Sequence, residues 1–339
     1  MNTMKRLFRR GVDASPRNFD EEKFKKNMKK RKLTSLLVLF IILPLLLYVF
    51  FFVFKQEHYV LMSLLILFAI MMPFFYVFEY RSVKARDVVL IATMTSFTVV
   101  ANVICTHTVP LHAGTAMVVI TGVALGPEAG FLTGALGRLI CNVFDGQGPW
   151  TPWQMVAWGI MGLFAGIAFN RVDLKSKSLF EESIAKKTSS FKVILGPLSC
   201  IFIAEFLGIL IFALNGDKKG FLGLWVYIFG FTGLVSGVII QRAKLTADVL
   251  SLTLFTFFVT FIVYGGLLNF ANVLMMNAIN PVENEISKEA FLAVYLSGLP
   301  YDLQHAAGAS AVMFFIGESM LNKVERVRIK FGILNISGS

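Results

Sequence analysis

The sequence has little charge and little cysteine for its length. Only 16% of the 339 residues are charged, whereas 56% are hydrophobic and 34 are phenylalanine. Soluble domains average roughly 45–50% apolar and about 25% charged residues, so this composition excludes an ordinary soluble protein. The three cysteines, Cys105, Cys141 and Cys200, lie in apolar segments at spacings that predict neither a metal site nor a disulfide framework. We interpret them as small packing residues.

Several catalytic motifs are also missing. There is no GxxxxGK[ST] phosphate loop, no HExxH metal motif, no paired CxxC and no GxSxG nucleophile elbow. The spacing of His107, His112 and His305 is not a typical metal-ligand pattern. The chain is therefore not expected to hydrolyse ATP through a phosphate loop, to be an enzyme or to carry a cofactor.

Long apolar runs dominate what is present. Residues 34–54 reach the ~20 apolar residues that cross a bilayer, and the KQEHY that follows offers no signal-cleavage site. The pattern predicts an all-α, polytopic membrane bundle with about ten spans. These lie near 34–54, 59–79, 87–106, 113–126, 129–144, 151–170, 191–213, 221–241, 246–272 and 289–320. The span at 113–126 is short, which predicts a tilted or partial crossing.

The loop charges predict an orientation. Residues 1–32 hold twelve Lys/Arg and four Asp/Glu, and most loops expected on the same side are basic. The positive-inside rule then predicts a multi-pass cell-membrane protein with both termini cytoplasmic and DGQGPWTP outside. An arm that binds nucleic acid is the alternative for 1–33, but such basic flanks commonly face anionic lipid.

Two glycine-rich hairpins resemble one another. The stretch WGIMGLFAGIAFNR at 158–171 matches FGFTGLVSGVIIQR at 229–242, and LGP at 125–127 recurs at 195–197. The pattern indicates that hairpin 191–241 duplicates hairpin 127–171, the alternative being chance similarity among helices that pack through small residues. The copy lacks the Pro-Trp-Thr-Pro-Trp cluster, so it is expected to be scaffold rather than site.

Polar side chains inside the spans indicate a ligand site. Such residues are costly in hydrocarbon and usually face the bundle interior. A few placed polar groups among aromatic side chains are typical of a small-molecule pocket. Interface anchors and interhelical hydrogen bonds are the alternatives for the tryptophans and amides. The predicted substrate-binding residues are Asn102, His107, Arg138, Asn142, Trp150, Trp153, Gln154, Asn269, Asp302 and His305.

A second surface is predicted at the other end of the bundle. In ATMTS, Ala92 and Ser96 lie four residues apart on one helix face and, with Thr95 and Ala101, form a stripe of small residues. Such a stripe lets another helix approach closely. It predicts contact with a partner helix, away from the polar cluster.

Several stretches together carry a family resemblance. The chain resembles the substrate-binding S components of energy-coupling factor (ECF) vitamin transporters over about 86–332, interrupted by 191–241. GPWTPWQM after LGPEAGF resembles one subgroup, the cobalamin type. The matching stretches are ARDVVLIATMTSFTVVANV, TAMVVITGVALGPEAGFLTGALGRLICNVFDGQGPWTPWQMVAWGIMGLFAG, YGGLLNFANVLM and LPYDLQHAAGASAVMFFIGESMLNKVERVRIKFG.

The resemblance implies a six-helix core that captures a vitamin, with cobalamin or a corrinoid precursor as the expected ligand. It also implies docking, through Ala92 and Ser96, to a membrane coupling protein with two ATPases that use the ATP. The two helices in 34–85, the hairpin 191–241 and the short tail 333–339 fall outside the minimal core.

Two other functions remain open from the residues alone. One is an intramembrane enzyme that uses Arg138, Asp302 and His305, which requires these side chains within hydrogen-bond reach. The other is an ion-coupled secondary transporter with Glu205 or Asp302 as the proton carrier. Uptake without a partner module would favour the second.

Overall fold

The computed structural model describes residues 33–34, 37–54, isolated positions between 58 and 72, 85–108, 111–169, 190–215, 221, 223–241, 247–279 and 288–331. These residues form ten α-helices and no strand. The helices are α1 (Leu43–Phe52), α2 (Ala85–Thr108), α3 (Ala113–Leu125), α4 (Pro127–Asp145), α5 (Trp150–Phe169), α6 (Ser190–Leu214), α7 (Leu224–Gln241), α8 (Val249–Phe258), α9 (Gly266–Ile279) and α10 (Lys288–Phe331). The prediction of an all-α membrane bundle is confirmed.

Three of the described segments are long and apolar enough to cross a bilayer by length and composition, namely Val88–Thr108, Trp150–Phe169 and Val249–Met276. Shorter apolar segments lie at Phe40–Phe50, Ala113–Leu125, Leu198–Leu214 and Leu224–Ile240. The predicted arm 1–33 except its last residue, most of the span 59–79 and the tail 333–339 lie outside the described residues.

The short helix α3 is the centre of the bundle. All thirteen of its residues are buried, and it packs against α2, α4, α5 and α10. At ~1.5 Å per residue it is about 20 Å long, shorter than the ~30 Å hydrocarbon layer. It lies among other helices rather than in lipid, so the reduced length leaves no backbone exposed to hydrocarbon.

Tight turns at each end of α4 set the local path of the chain. Gly126 links α3 to α4 and Gly146 ends α4, both with φ of 103°, a conformation that favours glycine. Pro127 then starts α4, where the missing N–H costs little. On the other side of the turn, the Gly148 N–H donates to Thr151 Oγ1 at 3.1 Å and fixes the start of α5.

One rod continues through α8 and α9. The seven residues Val259–Gly265 between them form a π-helix, which is typical of functional positions inside helices. With this rod counted once, α2, α3, α4, α5, α8–α9 and α10 pack as six rods, and α6–α7 lies outside them as a separate pair. Helix α7 contacts the π-helix, α9 and α10.

Helix α10 is longer than the predicted span. It runs over Lys288–Phe331, 44 residues, rather than ending near 320. Its last turns pack back on the bundle, since Arg328 donates to the Ala124 carbonyl at 2.7 Å near the end of α3. The apolar pattern from which the span was predicted ends near 320, because residues 321–331 are rich in charged side chains.

Candidate functional site

The first polar group, the arginine cluster, joins α4 to the start of α5 and consists of Arg138, Asn142, Asp145, Thr151 and Gln154. Arg138 Nε and Asn142 Nδ2 both donate to Gln154 Oε1, at 3.0 and 2.8 Å. Asn142 Nδ2 also lies 3.0 Å from Thr151 Oγ1. The guanidinium of Arg138 lies 3.6 Å from the Asp145 carboxylate. Arg138 is therefore neutralised by Asp145, and not by Glu205 or Asp302.

Trp158 lies beside the arginine cluster. The Arg138 guanidinium carbon is 5.4 Å from its ring centroid, within the ~6 Å of a cation–π contact. Gly114 on α3 lets the indole and Asn102 approach, because a Cβ there would lie 2.7 Å from both side chains. Asn102 is 1% exposed and Trp158 is 1% exposed. This places α2, α3, α4 and α5 around one buried polar interior.

Several polar atoms in this interior have no hydrogen-bond partner among the residues that the structure describes. They include Asn102 Oδ1, Asn142 Oδ1 and Trp158 Nε1. Buried polar atoms are normally paired, because each unpaired one costs about 1–3 kcal/mol. The interior thus presents two amide acceptors and one indole donor beside a cation and an aromatic face.

The second group, the histidine stack, joins α10 to the start of α3. The rings of His112 and His305 lie 3.9 Å apart between centroids. His305 Nε2 shares a 2.9 Å hydrogen bond with Thr115 Oγ1, while its Nδ1 is buried without a partner. Tyr264, from the π-helix, packs edge-on to His305 at 4.6 Å.

The histidine stack and the arginine cluster are electrostatically linked. Burial lowers the pKa of His112, and the positive charge of Arg138 lowers it further. His112 lies in the loop before α3, and its neutral ring is favoured there.

The third group, the Asp302 clamp, consists of Tyr227 on α7, Asn269 on α9 and Asp302 on α10. Tyr227 Oη and Asn269 Nδ2 each donate to Asp302 Oδ2 at 2.7 Å. All three side chains are buried. Tyr227 thus links the hairpin 191–241 to a carboxylate on α10, one of the six packed rods.

Not every predicted site residue joins these groups. His107 is exposed near the end of α2, where its Nδ1 bonds to its own helix at 2.8 Å. Trp150 is 42% exposed, whereas Trp153 is 4% exposed and packs edge-on against Phe270 at 6.4 Å. The two tryptophans therefore do not line a common opening. The substrate role of each predicted residue stays a prediction.

The predicted stripe on α2 is narrower than expected. Ala92 and Ser96 are both exposed on the same face, one turn apart. Thr95, however, is 3% exposed and faces the bundle, because it lies about 100° around the helix from Ser96. Its inclusion in the exposed stripe is wrong.

Residues that the sequence interpretation missed as site members are Trp158, His112, Thr115, Tyr264 and Tyr227. One signal was available, since Gln154 and Trp158 are four residues apart on α5 and so share a face. The others meet only through packing between distant helices.

The enzyme alternative requires Arg138, Asp302 and His305 within hydrogen-bond reach of one another. Arg138, Asp302 and His305 belong to three different hydrogen-bonded groups, and within the described residues no hydrogen bond joins any two of them. The described residues also contain no cluster of three or more His, Cys, Asp or Glu that could hold a metal ion.

Comparison with known proteins gives one finding. Residues 82–213 match a family model described as ECF-type riboflavin transporter, S component. No curated protein and no solved structure matches the chain. The match starts just before α2 and ends within α6, so it covers the arginine cluster, Trp158, His112 and the exposed face of α2. Over residues 82–213 the chain is therefore similar to the S components of ECF-type transporters.

Proposed function

We propose that the buried interior between Asn102, Arg138, Asn142 and Trp158 binds a vitamin that the protein captures from outside the cell. The observation that carries this proposal is the set of unpartnered buried atoms there, Asn102 Oδ1, Asn142 Oδ1 and Trp158 Nε1. A ligand with matching donors and acceptors would offset the cost of burying them. The predicted residues His305, Asn269 and Asp302 lie on the helices that close this interior.

The chemistry of the interior favours a flat heteroaromatic ligand. It offers two amide acceptors, an indole donor, and an arginine over an aromatic ring. The matched family model is described by riboflavin, a compound of this class, so riboflavin is the first ligand to test. The expectation of cobalamin came from the subgroup resemblance of GPWTPWQM after LGPEAGF, and cobalamin is therefore the second ligand to test.

The proposal extends to a partner. The exposed face of α2 with Ala92 and Ser96 would dock to the coupling protein of a module with two ATPases. Those partners would use the ATP, and this chain needs no cofactor of its own. The basic loops support an orientation with both termini in the cytoplasm, which places Trp150 and His112 on the outer side.

Binding of riboflavin to the purified protein in detergent tests the ligand. Quenching of flavin fluorescence gives Kd for the wild type and for Asn102→Leu and Trp158→Phe. Each substitution removes one polar partner, and we expect a loss of roughly tenfold or more in affinity, about the value of one buried hydrogen bond. Trp225→Phe is the matched control, since Trp225 is 43% exposed on α7.

Two outcomes would contradict the ligand class. If the protein binds cobalamin tightly and does not bind riboflavin, the ligand is a corrinoid and not a flat heteroaromatic compound. Equal effects of Trp158→Phe and Trp225→Phe would place the ligand elsewhere.

Uptake into proteoliposomes tests the mode of transport. The proposal expects uptake only when the ATPase module and ATP are present. Uptake by this chain alone would favour an ion-coupled secondary transporter instead.

A further inference from the structure

The Asp302 clamp joins the inserted hairpin to the helix that carries His305. Asp302 Oδ2 accepts from Tyr227 Oη and from Asn269 Nδ2, both at 2.7 Å, and Asn269 Nδ2 lies 3.4 Å from Tyr227 Oη. Helix α7 and the consecutive helices α9 and α10 thus meet at a single carboxylate oxygen. A buried carboxylate is costly unless it is hydrogen-bonded, so the three helices are held together strongly at this point.

Packing around the clamp leaves little freedom. The Tyr227 ring stacks on Phe261 at 5.4 Å and meets Tyr295 edge-on at 4.9 Å. Glycines make room for the polar groups. A Cβ on Gly265 would lie 2.6 Å from the Asp302 carboxyl carbon.

The clamp lies where α10 has lost local support. Pro300, two residues before Asp302, is inside the helix. A proline there removes one backbone hydrogen bond and tends to kink a helix. The direction of the following turn therefore depends on contacts to neighbouring helices, and the clamp is a polar contact at that turn.

The following turn carries the histidine stack. His305 lies three residues after Asp302, about 4.5 Å along the axis, and it bonds to Thr115 and stacks on His112. A shift of this turn would move the His305 ring away from both. The position of the stack is thus coupled to a hydroxyl group on α7, which belongs to the hairpin outside the six packed rods.

We propose that Tyr227 is a positioning residue, and that the inserted hairpin sets the direction of α10 at the ligand site through the Tyr227–Asp302 hydrogen bond. Tyr227 does not touch the ligand in this proposal. It acts through Asp302 and His305. The effect on ligand affinity rests on the proposed function, whereas the effect on the histidine stack does not.

Carbethoxylation of histidines, measured by peptide mass spectrometry, tests the geometry without any ligand. The chain has four histidines. His112 and His305 report on the stack, and exposed His107 is an internal control for reagent and detergent. In Tyr227→Phe we expect the labelling rates of His112 and His305 to rise roughly tenfold, the effect of losing one buried hydrogen bond, with no change at His107.

Tyr295→Phe is the matched control variant. It removes the same hydroxyl group from the same wall of the bundle, but that hydroxyl donates to the Gly266 carbonyl at 2.8 Å and not to Asp302. We expect it to lower thermal stability without changing the labelling of His112 or His305. A merely structural role for Tyr227 would give the same result in both variants.

Gly298→Ala perturbs the clamp at Asn269 instead of Tyr227, and it serves as the test variant if Tyr227→Phe does not fold. A Cβ there would meet Asn269 Oδ1, so Asn269 must move from Asp302. Increased labelling of the stack supports the proposal. Unchanged labelling in a folded Tyr227→Phe or Gly298→Ala protein overturns it.

Riboflavin affinity completes the experiment. We expect Kd to rise in Tyr227→Phe and to stay within twofold in Tyr295→Phe. A wild-type protein that binds no riboflavin contradicts the proposed ligand, while the labelling result still decides the role of Tyr227. Altered labelling with unchanged Kd would overturn the claim that the stack belongs to the ligand site.

Discussion

At the scale of single residues, the charged side chains Arg138 and Asp302 each have polar partners nearby. Arg138 would be costly in a bilayer, but Asp145 neutralises it, Gln154 accepts its Nε–H, and Trp158 covers it. Asp302 has its two donors in the clamp. Asn102 Oδ1, Asn142 Oδ1 and Trp158 Nε1 have no partner among the described residues, which is why a ligand is expected beside them.

The two tryptophans at the start of α5 should behave differently. Trp153→Ala is expected to lower the free energy of unfolding by about 3–5 kcal/mol, because it empties a buried aromatic site. Trp150→Ala should change it by less than about 0.5 kcal/mol, as for an exposed position. Trp150→Ala is still expected to weaken riboflavin binding, since its ring covers Gly148 beside the arginine cluster. Thermal denaturation and flavin titration check both, and equal stability losses would contradict the assignment.

The histidine stack predicts a dependence of stability on pH. Burial and Arg138 lower the pKa of His112 in the folded state, so the unfolded chain binds more protons as the pH falls. Stability is therefore present above the ordinary histidine pKa and lost as the pH falls below it. The midpoint of thermal unfolding should drop between about pH 7.5 and about pH 5.5, and His112→Gln should reduce that drop. His107→Gln, at an exposed position, should leave the drop unchanged.

At the scale of helices, close backbone contact joins α4 to α5. A Cβ on Gly162 would lie within 2.3 Å of the Gly130 carbonyl oxygen, so only glycine permits this approach. The second hairpin has a similar contact, where a Cβ on Gly233 would lie 2.7 Å from the Cys200 carbonyl oxygen. Gly162 and Gly233 are equivalent in the sequence repeat, so both hairpins make a close backbone contact at matching places. The duplication itself stays a prediction.

Gly162→Ala should destabilise the bundle by about 1–3 kcal/mol, the usual cost of overpacking, because α4 and α5 must separate. Gly137→Ala is the matched control on α4. Its Cβ would meet side-chain atoms, of Thr98 at 3.3 Å and of Trp158 at 4.0 Å. Thermal unfolding in detergent measures both variants. A Gly162→Ala protein as stable as Gly137→Ala would show that the α4–α5 contact is looser than described.

At the scale of the whole molecule, two functions are assigned to different faces. The proposed ligand site lies inside the bundle, and the exposed Ala92–Ser96 face of α2 is the predicted docking surface. The two functions can be tested separately, because α2 contributes the buried Asn102 to the proposed ligand site and its outer face to the predicted docking surface.

Ala92→Trp should leave riboflavin Kd unchanged and abolish uptake in proteoliposomes that contain the ATPase module. A large side chain there prevents close approach of a partner helix. Ile104→Trp is the matched control, because Ile104 is also exposed on α2 but lies three turns further along. Normal uptake by Ala92→Trp would show that docking uses another surface.

Composition and periodicity alone determined that this is an all-helical membrane protein, because apolar runs of bilayer length have no other stable form. The polar residues that face inward were also predictable, since Arg138, Asn142 and Asp302 are too costly to face lipid. What tertiary structure decided is which of them meet. Arg138 and Asp145 lie on one helix, α4, but Gln154 reaches Arg138 only because α5 packs against α4. The sequence predicted a scaffold role for Tyr227, because the residues next to it in the chain are apolar. Its hydrogen bond to Asp302 exists only because α7 packs against α10. The sequence around a side chain indicates whether that side chain needs a polar or an apolar environment. Which residue it then contacts depends on how distant helices pack.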